Sequence, residues 1–167
     1  MIFRKSVEND VHSIMEIIKQ AQDSFKEAGI DQWQNGYPNH DVIVKDIMNS
    51  ESYVLEHDGV IAATSMVTFA KEPSYKSIRN GKWLSDGEYA TIHRIAVNHT
   101  YKGMGLATTI IQHVEALCAN KQIPSIKADT HEANIPMQKT LKKNGFELCG
   151  TITLDGGEER LAYEKLL

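Results

Sequence analysis

The chain has 167 residues, 41% of them hydrophobic and 24% charged, with a formal net charge of −4. That length buries a sizeable core in one domain, and the composition excludes a disordered or collagen-like chain. The mild acidity leaves no basic footprint for nucleic acid, and no apolar run approaches the roughly 18 residues that a membrane span needs.

The opening residues, MIFRKSVEND, lack the apolar stretch of a signal peptide, so a cytoplasmic protein is expected. Residues 1–5 read as a short strand. Ser6, followed by Asn9 and Asp10, looks like a helix start. From Val7 the apolar residues Val11, Ile14, Met15, Ile17 and Ile18 describe one helical face that can run to Ala28, with Gly29 as its stop. The next stretch, GIDQWQNGYPNH, holds Trp33 and Tyr37 among turn residues. Those aromatics are either lids on the core or the wall of a small-molecule pocket. Asp41 opens a second short helix.

Residues 52–56 and 60–69 read as a hairpin around Asp58-Gly59. Residues 72–86 read as a long polar connection flanking a site. Residues 88–97 form a strand. Lys102-Gly103-Met104-Gly105 then leads into a helix whose apolar positions are Leu106, Ile110, Ile111, Val114 and Leu117. A strand follows over 122–129, then a polar turn and a helix over 135–144, with Pro136 in its first turn and Gly145 at its end. A last hairpin turns at Asp155-Gly156-Gly157. Cys118 and Cys149 fit no CxxC or metal-ligand spacing, and buried thiols are expected. Asp129, His131 and Glu132 likewise match no ligand set, so no metal is expected.

The order is β, α, α, β, β, β, α, β, α, β, β, a mixed α/β domain with hairpins at both ends. It is not the regular alternation of a doubly wound dinucleotide fold. The glycine pair just before a helix has one clear chemical use. First-turn amides lack intrahelical acceptors, the helix dipole adds partial positive charge, and glycine lets an anion approach the backbone. A plain strand-to-helix turn is the alternative.

The chain resembles the GNAT (Gcn5-related N-acetyltransferase) superfamily along essentially its whole length. The element order matches, as does Lys102-Gly103-Met104-Gly105-Leu106-Ala107 against the family's pyrophosphate loop. Asn134 followed by Gly145-Phe146 matches its second motif. The resemblance implies a central, mostly antiparallel sheet with a splayed parallel pair of strands, flanked by about four helices. It implies transfer of an acetyl group from acetyl-CoA to a primary amine of a small molecule or peptide. Ile95, Ala96 and Val97 would pair with the pantetheine arm. Lys102, Gly103, Met104, Gly105, Leu106, Ala107 and Thr108 would hold the pyrophosphate, and Asn134 would touch the cofactor arm. A homodimer through the last strands is an option the family leaves open. Two departures stand out. Lys102 replaces the usual Arg or Gln, and Leu141 stands where many relatives carry a tyrosine acid.

An ammonium acceptor must lose a proton before it attacks a thioester, so a base is needed. His93 is the first candidate, because its ordinary pKa lies near 6.5 and strand alternation places it on the face of Ile95 and Val97. Glu88 is the second, acting through water. Trp33, Tyr37, Tyr89 and His131 are candidates for the acceptor pocket, and Tyr89 and Tyr163 are candidate acids. The acidic balance mildly suits a cationic acceptor. A ribosomal-protein or peptide N-terminal acetyltransferase and a non-catalytic acyl-CoA-binding module are the competing readings.

Overall fold

The structure, a computed structural model, describes all 167 residues. Its strands are β1 (Ile2–Lys5), β2 (Ser52–His57), β3 (Val60–Thr68), β4 (Ala90–Val97), β5 (Ser125–Thr130), β6 (Glu147–Thr153) and β7 (Glu159–Leu166). Its α-helices are α1 (Val11–Glu27), α2 (His40–Met48), α3 (Leu106–Lys121) and α4 (Ile135–Lys143). The strands make one seven-stranded sheet in the order β1-β2-β3-β4-β5-β7-β6. Pairs β1–β2, β2–β3, β5–β7 and β6–β7 are antiparallel, and β4–β5 is parallel. The expected mixed sheet with one parallel pair and four helices is therefore present. No helix is long and apolar enough to cross a membrane.

Helix stops follow one pattern. After α1, the Gly29 N–H donates to Lys26 O and the Ile30 N–H to Phe25 O, with Gly29 at φ 69°. These paired bonds satisfy the last carbonyls of a helix. Gly145 and Phe146 do the same for α4, donating to Lys142 and Leu141. Ser50 and Gln122 take the left-handed position after α2 and α3, which only the two glycine-ended helices announce in sequence. The start of the first helix differs from expectation. Ser6 is not its cap, since the Ser6 and Ser52 hydroxyls pair at 2.8 Å. A 3-10 turn over Glu8–Asp10 leads into α1 instead, and the Asp10 carboxylate accepts the Val7 N–H at 2.8 Å.

The chain divides into two compact units. One comprises Met1–Val67 with Arg94–His113, the other Thr68–His93 with Val114–Leu167. In the first, Val11, Ile14, Ile17 and Ile18 of α1 are buried with Ile43, Val54, Ile61 and Ala96. Each such aliphatic contributes about 1.5–3 kcal/mol of gross hydrophobic free energy. The Arg4 guanidinium joins the start of that helix to β2, 2.7 Å from Asp10 and 2.8 Å from Glu56.

In the second unit, Tyr75, Tyr89, Ile152 and Ala162 are buried together, with Ile78, Trp83 and Leu154 packed against them. The 72–86 connection is more ordered than its composition suggests. It contains a 3-10 turn, Pro73–Ser77, and Arg79 pairs with Thr151 of β6 through two 2.8 Å backbone hydrogen bonds. Two glycines permit that approach. A Cβ on Gly81 would lie 1.9 Å from Cys149 O, and one on Gly150 would lie 2.5 Å from Arg79 O. Further along, the buried Glu164 carboxylate accepts the Leu84 N–H at 2.6 Å, the Ser85 N–H at 3.3 Å, and hydrogen bonds from the Ser85 and Ser125 hydroxyls.

Candidate active site

In the first unit the glycine loop has the backbone of an anion cradle. Gly103 and Gly105 sit at φ 81° and 75°, where an L side chain is strained. A Cβ added at either would meet no protein atom within 4 Å, so the space above the loop is open. The Gly105 carbonyl accepts the Thr109 N–H at 3.0 Å, so Gly105 closes the first turn of α3. That leaves the amides of Leu106 and Ala107 without intrahelical acceptors. Lys102 and Met104 are exposed beside them, and Thr108 is half-buried. The Lys102 ammonium rests 3.3 Å from Ser24 Oγ. These residues fit a phosphate-bearing ligand: amides, a helix N-terminus and one cation, with no side chain in the way.

Upstream in the same unit, Arg94 lies at φ 54° in the middle of β4. A non-glycine residue there costs roughly 1 kcal/mol or more. Its guanidinium is buried against the Asp46 carboxylate of α2 and donates to the Tyr37 hydroxyl at 2.5 Å. This ion pair holds the residue in place. The left-handed turn also corrects the expected geometry. Simple alternation does not carry from His93 through to Ile95 and Val97, because the period of two requires extended backbone at Arg94. Ala96 is buried, and Ile95 and Val97 are half-buried.

In the second unit His93 is the last β4 residue before the left-handed Arg94. Its Nε2 is 2.8 Å from Glu72 Oε1, and its Nδ1 is 3.9 Å from Asp129 Oδ2. The first is a hydrogen bond and the second is too long for one. A carboxylate at 2.8 Å places the ring N–H on Nε2 in the neutral tautomer, which leaves the Nδ1 lone pair available. The Tyr75 hydroxyl donates to Asp129 Oδ2 at 2.6 Å. Burial, then the neighbouring Asp129 charge, pushes the Tyr75 phenol well above its ordinary pKa of 10.0, so it stays a donor. The Tyr89 hydroxyl accepts the Glu72 N–H at 2.9 Å, and burial raises its pKa as well. Parallel pairing of β4 with β5 covers only Ala90 with Ile126 and Thr91 with Lys127. Beyond it, His93 and Asp129 face each other with their side chains in the space the ladder leaves.

A cavity of about 870 Å³ adjoins this group. Tyr75 and Tyr89 line it, with Trp83, Lys71, Lys76, Lys82, Lys127 and Asp86 among the other walls. The Tyr75 ring centroid is 5.1 Å from that of Trp83, 6.3 Å from that of Tyr89 and 6.4 Å from the His93 ring. The buried rings of Tyr75 and Tyr89 thus stand between the imidazole and the cavity.

The other expected residues fall elsewhere. Glu88 precedes the strand, is exposed, and stands 4.0 Å from Lys71. Trp33 packs edge-on against Phe25 beside the core of the first unit, and Tyr37 is engaged by Arg94. The His131 ring accepts the Ala133 N–H at 3.0 Å, within its own turn. Asn134 caps α4, its Oδ1 accepting the Met137 N–H at 3.2 Å. Leu141 is buried in the core. Tyr163 is fully buried, and its hydroxyl has no hydrogen-bond partner. Glu72, Tyr75 and the pairing role of Asp129 were not among the sequence candidates. Their polar types inside a long connection and at a strand end were the only available signal.

Comparison with known proteins bears on the family. The profile of the Acetyltransferase (GNAT) family matches residues 15–146. The crystal structure of a GNAT-family acetyltransferase from Streptococcus agalactiae is 39% identical, covers 99% of this chain and 95% of its own, and superposes with a TM-score of 0.90. An S-(2-succino)cysteine N-acetyltransferase of Bacillus subtilis is 22% identical over 99% of this chain and 95% of its own length. A streptothricin acetyltransferase of Escherichia coli is 31% identical over 71 residues, which span 42% of this chain and 39% of that protein. The chain belongs to the GNAT acetyltransferase family.

Proposed function

We propose that the protein transfers the acetyl group of acetyl-CoA to a primary amine of a small molecule by direct attack in a ternary complex. The observation that carries the reading is His93, held by Glu72 through one ring nitrogen with the other left as an acceptor, at the edge of an aromatic cavity. Acetyl-CoA, when bound, supplies the acetyl group as a thioester. The glycine loop and the first turn of α3 hold its pyrophosphate by backbone amides. Lys102 adds charge without a planar fork, which suffices where amides make the main grip. Ile95, Ala96 and Val97 offer strand backbone to the pantetheine arm.

His93 Nδ1 takes a proton from the acceptor ammonium, freeing the nitrogen lone pair. Glu72 fixes the tautomer and stabilises the imidazolium that forms, the role an orienting carboxylate plays beside any catalytic histidine. Asp129 and Glu72 also attract the ammonium before it is deprotonated. With Leu141 at the family's tyrosine position and the Tyr75 proton committed to Asp129, Tyr89 is the other hydroxyl bonded into this group. It is the candidate to protonate the departing thiolate.

The test is thiol release from acetyl-CoA across a panel of amines, with wild type and His93→Ala. A base of this kind contributes about 10²–10⁴-fold, so kcat should fall by that order while the acetyl-CoA Kd holds. Tight acetyl-CoA binding with no release from any amine would leave a binding module in place of an enzyme.

A further inference from the structure

The cavity beside His93 is basic in a chain that is acidic overall. Lys71, Lys76, Lys82 and Lys127 line it, against Asp86 as its one acidic lining residue, while the whole chain carries −4. Lys71 is partly answered by Glu88 at 4.0 Å, an exposed pair of little strength. Lys127 is the telling residue. It is buried on β5, its ammonium 4.0 Å from the Tyr89 ring centroid and 4.2 Å from that of Trp83, and it forms no ion pair with a carboxylate. Burial pushes its pKa down, and Glu164 and Asp86 push it back up. A buried cation supported mainly by ring faces is costly, and an incoming anion would complete it.

The far side of the Tyr75 and Tyr89 rings has the opposite sign. Tyr75 and Tyr89 face the cavity, yet their hydroxyls bond to Asp129 and to the Glu72 backbone. Glu72 and Asp129 flank His93. A ligand that spans the tyrosines therefore meets carboxylates at its amine end and lysines at its far end. A diamine would set its second ammonium among four lysines. We infer that the acceptor amine carries a carboxylate, as amino acids do, and that Lys76, Lys82 and Lys127 hold that anionic end. This rests on the transferase reading and narrows its acceptor to zwitterionic amines.

The test uses matched acceptors of equal length whose far ends differ only in charge: ω-amino acids of three to six carbons, their amides and the corresponding diamines, with α-amino acids and their α-amides alongside. Binding is followed by calorimetry, and turnover by CoA release from acetyl-CoA. The acids should bind and react at least about tenfold better than the amides, and better still than the diamines. Lys76→Gln/Lys82→Gln, two changes at exposed positions, should lower the acid-to-amide ratio several-fold, with Lys127 holding the remainder. Lys142→Gln, on the surface of α4, should leave the ratio as it is. Amides or diamines that match the acids, or a ratio unchanged by the double substitution, would overturn the inference while leaving acetyl transfer intact. If no amine releases CoA, transfer itself fails, and the calorimetric preference still decides the anion question.

Discussion

Glu164 is the residue on which the cavity wall most depends, and its replacement has a calculable effect. Its two oxygens accept four hydrogen bonds, two from the Leu84 and Ser85 amides and two from serine hydroxyls. In Glu164→Gln the amide oxygen must stay with the backbone donors, because those cannot turn round. The new NH2 then faces Ser85 and Ser125, whose hydroxyls can rotate to accept. All four contacts survive as neutral bonds instead of charge-assisted ones. A bond to a charged group contributes about 1.5–3 kcal/mol against about 1 for a neutral one, so even at the low end of that difference the four bonds lose roughly 2 kcal/mol together. Glu164→Leu strips every acceptor and leaves four buried donors unsatisfied, at about 1–3 kcal/mol each. That total is comparable with the whole stability of many domains. Urea unfolding followed by circular dichroism reads both. With a slope of about 2 kcal/mol per molar, the glutamine variant should lose at least about 1 M in midpoint. Acceptor KM should rise in parallel, since Leu84 and Ser85 line the cavity. A glutamine variant within about 0.3 M of wild type, or a leucine variant no worse than it, would refute the four-bond account.

Other consequences follow from single residues. Gly105→Ala places a Cβ on a residue at φ 75°, so stability should drop by about 1 kcal/mol and the acetyl-CoA Kd should rise by more than that strain explains. An unchanged Kd by calorimetry would remove the loop from the cofactor site. Arg4 holds the Asp10 carboxyl below its ordinary pKa of 3.8, with the Val7 N–H helping. A depressed folded pKa adds stability above the unfolded value and loses it as pH falls through the folded one. The wild-type advantage over Asp10→Asn should therefore be full at about pH 6 and shrink below about pH 4. A gap that stays constant down to acid pH would refute the linkage. Burial pushes the Cys118 thiol up to about 11 and raises Cys149 also. Neither should react with a disulfide reagent at neutral pH until denaturant is added, and rapid labelling of the native protein would contradict their burial.

Much of the site was legible where the chemistry is local. The glycine loop, its helix and the Asn134 cap are runs of neighbouring residues, so spacing alone displays them. His93 stands out by type. What sequence does not display is convergence. Glu72 lies 21 positions from His93, and Tyr75 lies 54 from Asp129. Nothing in a polar connection says which of its acids will meet the strand. The face assignment failed at one residue, because Arg94 takes a left-handed conformation that its type disfavours and a distant carboxylate supports. Net charge averages over the surface, whereas Lys71, Lys76, Lys82 and Lys127 come from separate stretches to line a single cavity.

The two glycines that let residues 78–81 lie flush on β6 bear on how this enzyme could change its acceptor. With Arg79 hydrogen-bonded to Thr151 in both directions, the backbone of that connection is pinned to β6 at the sheet edge and does not hang as a flap. Side chains at 76, 82 and 83 can then be exchanged without moving the chain that carries them. New acceptors should be reachable by point substitutions on a fixed wall, while any side chain at Gly81 or Gly150 would detach the wall itself and lose every specificity at once.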